Sequence, residues 1–301
     1  MTKSICAATD TSDRVTTRRL AKAPSLLTGY VLHRYDWSES SLILDVYTRE
    51  QGRLVVAAKG AKRPYSQLRS VLLPFQRLHL SLGRPPKAEK ADAQHADAPT
   101  REVQTLRGAD WAGGAAMLTG AALFSGFYLN ELLMKLLARQ DPHPLLFDAY
   151  AQTLPGLSGG DDTQVQSALR AFEITLLQQI GVLPDLSLVT LTLDAVDPEG
   201  RYVLRPEAGV AAARPDDASV SGATLVGMQA ALIHGSLSAL QHACASALPE
   251  WRGLLRGLLH YHLGSSVLRT RQVMLGLQSL SPLPAAATAV VGDLGSNPRL
   301  P

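Results

Sequence analysis

The sequence predicts a two-domain α+β protein, with an amino-terminal five-stranded β-barrel followed by a mainly α-helical domain that carries a small inserted β-hairpin. Three observations predict it. Between Thr28 and Leu82, β-branched, leucine and aromatic residues gather in runs of about five to seven separated by turn residues, the rhythm of short strands. From Ala115 the apolar period changes from two to about 3.6, the rhythm of helices. A chain of 301 residues is also long enough to bury two ordinary cores.

The first strand is expected over Tyr30 to Tyr35, with Tyr30, Leu32 and Arg34 on one face and Val31, His33 and Tyr35 on the other. Asp36 to Ser40 makes a polar turn, Leu42 to Thr48 a second strand, Glu50 to Gly52 a second turn and Arg53 to Lys59 a third strand. Gly60 to Arg69 is polar, contains Pro64 and leaves the sheet. Val71 to Leu82 returns as the fourth strand, with Pro74 confining its start to an edge or bulge. Gly83 to Pro99, rich in Pro, Ala, Lys and Asp, reads as a mobile loop. Thr100 to Leu106 then closes the barrel, and Gly108 to Gly114 is the exit.

In the second half Phe124, Phe127, Leu129, Leu132, Leu133, Leu136 and Leu137 recur at helical steps until Asp141 and Pro142 stop the pattern. A shorter helix is expected over Leu145 to Leu154, then a loop from Gly156 to Asp162. Asp162 or Thr163 would cap the next helix, and Gly181 would end it in a left-handed conformation. Leu188 to Val196 and Arg201 to Leu204, flanking the turn Asp197-Pro198-Glu199-Gly200, predict the hairpin, and Ala208 to Ser219 a loop. Helices resume over Leu225 to His234, Leu237 to Leu248, Trp251 to Leu263 and Ser266 to Leu277. The divisions are therefore a basic disordered arm at 1–24, the barrel at 25–109, the helical domain at 110–280 with its hairpin at 186–206, and a disordered tail at 281–301.

Charge distinguishes the barrel. Between Thr28 and Arg84 nine Arg or Lys face four acids, while the whole chain carries a net charge of only +3. Cations interleaved with Tyr30, Tyr35, Tyr47, Tyr65 and Phe75 supply phosphate attraction and stacking faces together, the combination that suits single-stranded nucleic acid. Arg34, Lys59, Lys62, Arg63, Arg69 and Arg77 are the candidate phosphate ligands, and Tyr65 is a weaker candidate for stacking.

The segments YVLHRYDWSESSLILDVYTREQGRLVVAAKGAKRP and LRSVLLPFQRLHLSL closely resemble the amino-terminal domain of the RecO family of bacterial recombination mediators. The turn at Gly52, the KGAKR hinge at Lys59 to Arg63 and the LLPF segment at Leu72 to Phe75 carry the likeness. It continues at FYLNELLMKLLARQDPHPLLFDAY, LRAFEITLLQQIGVLPDL and LLRGLLHYHLG, in collinear order over about 25 to 278. The resemblance implies an OB-fold barrel that binds single- and double-stranded DNA. It also implies strand annealing, and a partnership with RecR, and in some cases RecF, in loading RecA onto DNA coated by the single-stranded DNA-binding protein. The helical domain would take the acidic, apolar-ended tail of that coating protein, with Lys135, Arg139, Arg252 and Arg256 as candidate rim cations. Many relatives hold zinc in the hairpin region with two Cys-x-x-Cys pairs. Here no cysteine lies between Cys6 and Cys244, so no such metal is expected.

Other chemistry finds little support. Gly156, Ser158 and Gly160 have the spacing of a nucleophile elbow, but no apolar strand precedes them. His260 with His262, and His242 with Cys244, are two apart and diverge on a helix. The acid pairs Asp161-Asp162 and Asp216-Asp217 read as caps or solvated turns, and Gly60 alone makes no phosphate loop. The expectation is a non-enzymatic protein without cofactor or metal. Two rivals are a barrel that binds protein instead of DNA, and a hydrolase built on Ser158. Two cysteines make no disulfide framework, residues 1–24 lack the apolar run of an export signal, and no apolar run of about eighteen exists, so a cytoplasmic protein is expected, and the resemblance to a DNA-binding family implies that it is nucleoid-associated.

Overall fold

The computed structural model describes residues 26–83, 103–114, 117–159, 161–264, 268–270 and 272–273. The expected arm, the loop after Gly83 and the tail lie outside these residues, as does most of the helix expected over Ser266 to Leu277.

Strands β1 (Leu26–Asp36), β2 (Leu42–Thr48), β3 (Gly52–Ala58), β4 (Leu78–Leu82) and β5 (Val103–Trp111) close a barrel in the order β1-β2-β3-β5-β4. All pairings are antiparallel except β3 with β5, which run parallel, and this is an OB-fold barrel. Val31, Leu44, Val46, Leu54, Val56, Leu78 and Leu80 fill its interior.

Several expected boundaries move. β1 begins four residues before Tyr30, because Leu26 to Gly29 pair with β4. A bulge between Val31 and His33 shifts the register, so that Arg34 lies opposite the core residue Leu44 and leaves the face of Tyr30 and Leu32. The run from Val71 to Leu82 is not one strand. A helical turn α1 (Leu68–Val71) comes first, and Phe75, in a left-handed conformation (φ 64°), turns the chain into β4. Its ring is buried edge-on against Phe127 at 5.1 Å, which offsets a conformation that costs about 1 kcal/mol or more outside glycine. β5 runs on to Trp111, into the expected exit, because Ala109 to Trp111 pair with β4.

The helical half comprises α2 (Gly120–Leu136), α3 (Pro144–Gly159), α4 (Asp162–Gln179), α5 (Gly222–His234), α6 (Leu237–Ala245) and α7 (Leu248–Leu263). α3 continues through Pro155 to Gly159 and absorbs the first part of the expected loop. Ser158 is therefore a helical residue whose hydroxyl donates to Pro155 O at 3.4 Å, with none of the geometry of a nucleophile elbow. Asp161, not Asp162 or Thr163, caps α4 by accepting from Gln164 N, and Gly181 is left-handed (φ 75°) as expected. Within 186–206 the turn at Asp197 to Gly200 forms, but Val196 donates back to Ser187 O and makes no strand against the residues that follow. The strand expected over Arg201 to Leu204 is present as β6 (Arg201–Arg205), but its partners are β7 (Gly209–Ala212), in the stretch expected to be loop, and β8 (Val220–Ser221) just beyond it.

The two halves share a core. Tyr30, Leu32, Tyr47 and Phe75 of the barrel belong to the same apolar cluster as Leu129, Phe147, Tyr150 and Phe172 of the helices. Tyr30 meets Phe147 and Tyr150 at ring distances of 5.4 and 5.0 Å. At the centre Asn130 donates to Leu32 O (2.9 Å) and accepts from Tyr150 (2.6 Å), so its buried amide is satisfied across the junction. Gly52 (φ 69°) sits directly under the α2–α3 connection, where a Cβ would lie 2.0 Å from Asp141 O.

Candidate nucleic-acid interface

The fold sorts the cations described between Leu26 and Gly83 into two sets. Arg49 forms a two-pronged pair with Asp148 of α3 (2.9 Å), which holds that carboxyl below its usual range. Arg53 lies 3.9 Å from the buried Asp45, and its guanidinium donates to Met134 O. Arg77 is half-buried, with its charge acting on Tyr30 and Asp148. These three face the helical half, so the structure separates Arg77 from the candidate phosphate ligands.

The other five, Arg34, Lys59, Lys62, Arg63 and Arg69, gather at the opposite end of the barrel. Local backbone chemistry puts them there. After β3, Gly60 turns the chain in a left-handed conformation (φ 72°), and successive turns follow as Arg63 N donates to Gly60 O and Ser66 N to Arg63 O. The β1–β2 loop anchors this segment, since Lys62 N donates to Ser40 O (3.0 Å) and Gly60 N to the Ser41 hydroxyl (3.5 Å). Lys62 is further fixed by Asp36 and by Ser38 O, each at 3.1 Å. Arg34 reaches the same end because the β1 bulge turns it there, and its Nη1 donates to Leu72 O at 3.4 Å.

Between these groups lies a groove of about 450 Å³. The charged residues Arg34, Asp36, Lys62 and Arg69 and the apolar residues Leu42, Ala61, Leu68 and Leu72 line it. Arg69 also borders a shallower depression beside Tyr65, which is wholly exposed. Trp37, in the β1–β2 loop, is 61% exposed. Of the aromatics expected to offer stacking faces, Tyr30, Tyr47 and Phe75 are buried against the helices instead, and burial pushes the Tyr30 and Tyr47 hydroxyls up. OB barrels commonly take oligonucleotides on the strand 2–3 face and on the loops after strands 1 and 4. Here the helical half occupies the strand 2–3 face at Tyr47 and Arg53, since Tyr47 donates to His143 O and Gln140 N to Arg53 O. The β1–β2 loop remains at the cationic end, and residues 84–102 lie outside the described part.

Sequence reasoning missed Asp36 and Ser38 as the groups that hold Lys62, and Leu68 and Leu72 as the groove floor. Trp37 in a polar turn was the legible signal for an exposed aromatic there.

The candidate peptide-binding cations are not drawn into one site. Lys135 pairs with Glu131 one turn earlier (3.4 Å), and Arg139 bridges through its backbone to Arg53 at the barrel junction. Arg252 and Arg256 lie exposed on α7, one turn apart. None of the four lines either depression at the barrel end. Among the described residues there is no cluster of three or more His, Cys, Asp or Glu placed to hold a metal ion, and no helix long and apolar enough to cross a membrane.

A closed OB barrel with a cationic mouth, joined through a common core to a helical half, defines a class of barrel-plus-helix proteins built around a basic surface. Comparison with known proteins places the chain within it. The family described as recombination protein O N terminal matches residues 25–89, and recombination protein O C terminal matches residues 117–272. The DNA repair protein RecO of Albidiferax ferrireducens is 48% identical over 267 residues, covering 88% of this chain and 99% of that one. Its counterpart in Polaromonas naphthalenivorans is 51% identical over 265 residues, covering 87% and 99%. The chain belongs to the RecO family of DNA repair proteins.

Proposed function

We propose that the chain is a non-enzymatic recombination mediator whose barrel mouth binds the sugar-phosphate backbone of single- and double-stranded DNA. In this reading it anneals complementary strands and, with RecR, helps load RecA onto single strands coated by the single-stranded DNA-binding protein. The acidic tail of that coating protein docks on the helical half, and RecF joins where the cell uses it. The observation that carries the reading is the division of the cations. Three stabilise the barrel–helix junction, while Arg34, Lys59, Lys62, Arg63 and Arg69 gather at the end the helices leave uncovered. Annealing needs phosphate neutralisation without capture of many pairing edges, and a cationic rim supplies the first alone.

The test is charge reversal. Lys59→Glu, Lys62→Glu and Arg63→Glu together should weaken oligonucleotide binding at least tenfold in a fluorescence titration and flatten its salt dependence, as expected for lost phosphate contacts. Thermal unfolding should stay close to wild type, because all three lie on the surface loop. A triple variant that binds DNA like wild type overturns the assignment.

A further inference from the structure

A track that only attracts phosphates needs no apolar floor. The groove at the barrel mouth has one, since Leu42, Leu68 and Leu72 line it alongside the cations Arg34, Lys62 and Arg69 and belong to or pack against the barrel core. We infer that this groove seats one unpaired nucleotide, its base on the leucine floor and its phosphate between Arg34 and Arg69. The inference rests on reading the barrel mouth as the DNA surface and names the ligand that its deepest part takes.

Three features favour a nucleotide. Arg34 is pinned to Leu72 O at 3.4 Å, which commits one of its donors and holds the guanidinium at the groove edge, where a phosphate oxygen meets the rest. Lys62, held by Asp36 and Ser38 O, forms a fixed wall. Asp36, paired with Lys62, can still accept from a ring N–H or exocyclic amino group of an unpaired base, whereas the carboxylates of an acidic peptide have no donor to offer it. A base reaches the floor only when unstacked and unpaired, which is cheap in a single strand and expensive in a duplex. One nucleotide would then be gripped while its neighbours stay free to pair.

The test compares a thymidine oligonucleotide with a fully abasic one of equal length and charge, by fluorescence anisotropy on the full chain. The intact strand should bind about tenfold tighter, the effect of removing roughly 60 Å² of base surface from water. Leu68→Gln should abolish that preference while the abasic strand binds as before, and Tyr65→Ala should leave the preference in place. Equal binding of the two strands, with both lost in the Lys59, Lys62 and Arg63 reversal, overturns the inference and leaves the DNA reading standing. Failure of both strands to bind wild type overturns both. A preference lost in Tyr65→Ala but kept in Leu68→Gln moves the base out of the groove and overturns the inference. So does an acidic, apolar-ended peptide that binds wild type but not Leu68→Gln.

Discussion

Asn130 joins the two halves through a single amide, donating to Leu32 O and accepting from Tyr150. Asn130→Ala leaves a buried carbonyl and a buried hydroxyl without partners, so it should destabilise the protein by about 1–3 kcal/mol in urea unfolding. The double variant with Tyr150→Phe should lose less than the sum of the singles, and strict additivity would contradict the network. Gly52→Ala combines a positive φ with a Cβ driven into Asp141 O, and should cost more than about 1 kcal/mol, while unchanged stability would contradict the close approach. At this scale the sequence was only partly legible. The KGAKR cations are legible as a cluster because charge is visible in a string of letters. Arg34 was assigned to the wrong face because a bulge at Val31 to His33 breaks the two-residue period and leaves no mark in composition. Arg77 was grouped with the others by sign alone, although its neighbours Tyr30 and Asp148 come from distant parts of the chain.

Elements were legible where their periodicity was strong and their ends chemically marked. β2 matches its expected bounds, and α4 ends at Gln179 just before the left-handed Gly181 that its pattern requires. The expected helix ends at Leu154, but α3 runs on to Gly159, since Leu146, Phe147, Tyr150, Leu154 and Leu157 keep its buried stripe continuous across Pro155. The small sheet was displaced in the reading because the Asp197 to Gly200 turn is conspicuous, while the true hairpin turns at Pro206 to Ala208. One element contact titrates. Burial alone would raise the Glu131 carboxyl, but hydrogen bonds from Thr270 and Arg269, with Lys135 nearby, outweigh it and leave the group below its ordinary 4.5. A lowered folded value gives stabilisation that is present above the unfolded value and lost as pH falls through the folded one. The contacts of Arg269 and Thr270 with Glu131 of α2 should therefore loosen as pH falls below the ordinary 4.5. Hydrogen exchange reads this as falling protection at the Arg269 and Thr270 amides, and protection unchanged at about pH 3 would contradict it.

Across the whole molecule, what composition could not reveal is that the barrel and helices share one apolar core. Tyr30, Tyr47 and Phe75 read as ligand-facing aromatics in a barrel considered alone, and the helical half claims all three. That core also encloses Cys244, where burial, with the nearby Glu173 adding, pushes the thiol up to about 12. In a Cys6→Ser background Cys244 should resist thiol reagents until the chain unfolds, and rapid native labelling would contradict a continuous core. With the helices occupying one side, the cationic mouth is left to meet nucleic acid. The most direct test is the affinity of wild-type protein for a single-stranded oligonucleotide measured across ionic strength. Engagement of the five mouth cations predicts that log K falls linearly with log salt at a slope of about −3 to −4, and a slope near zero would contradict it.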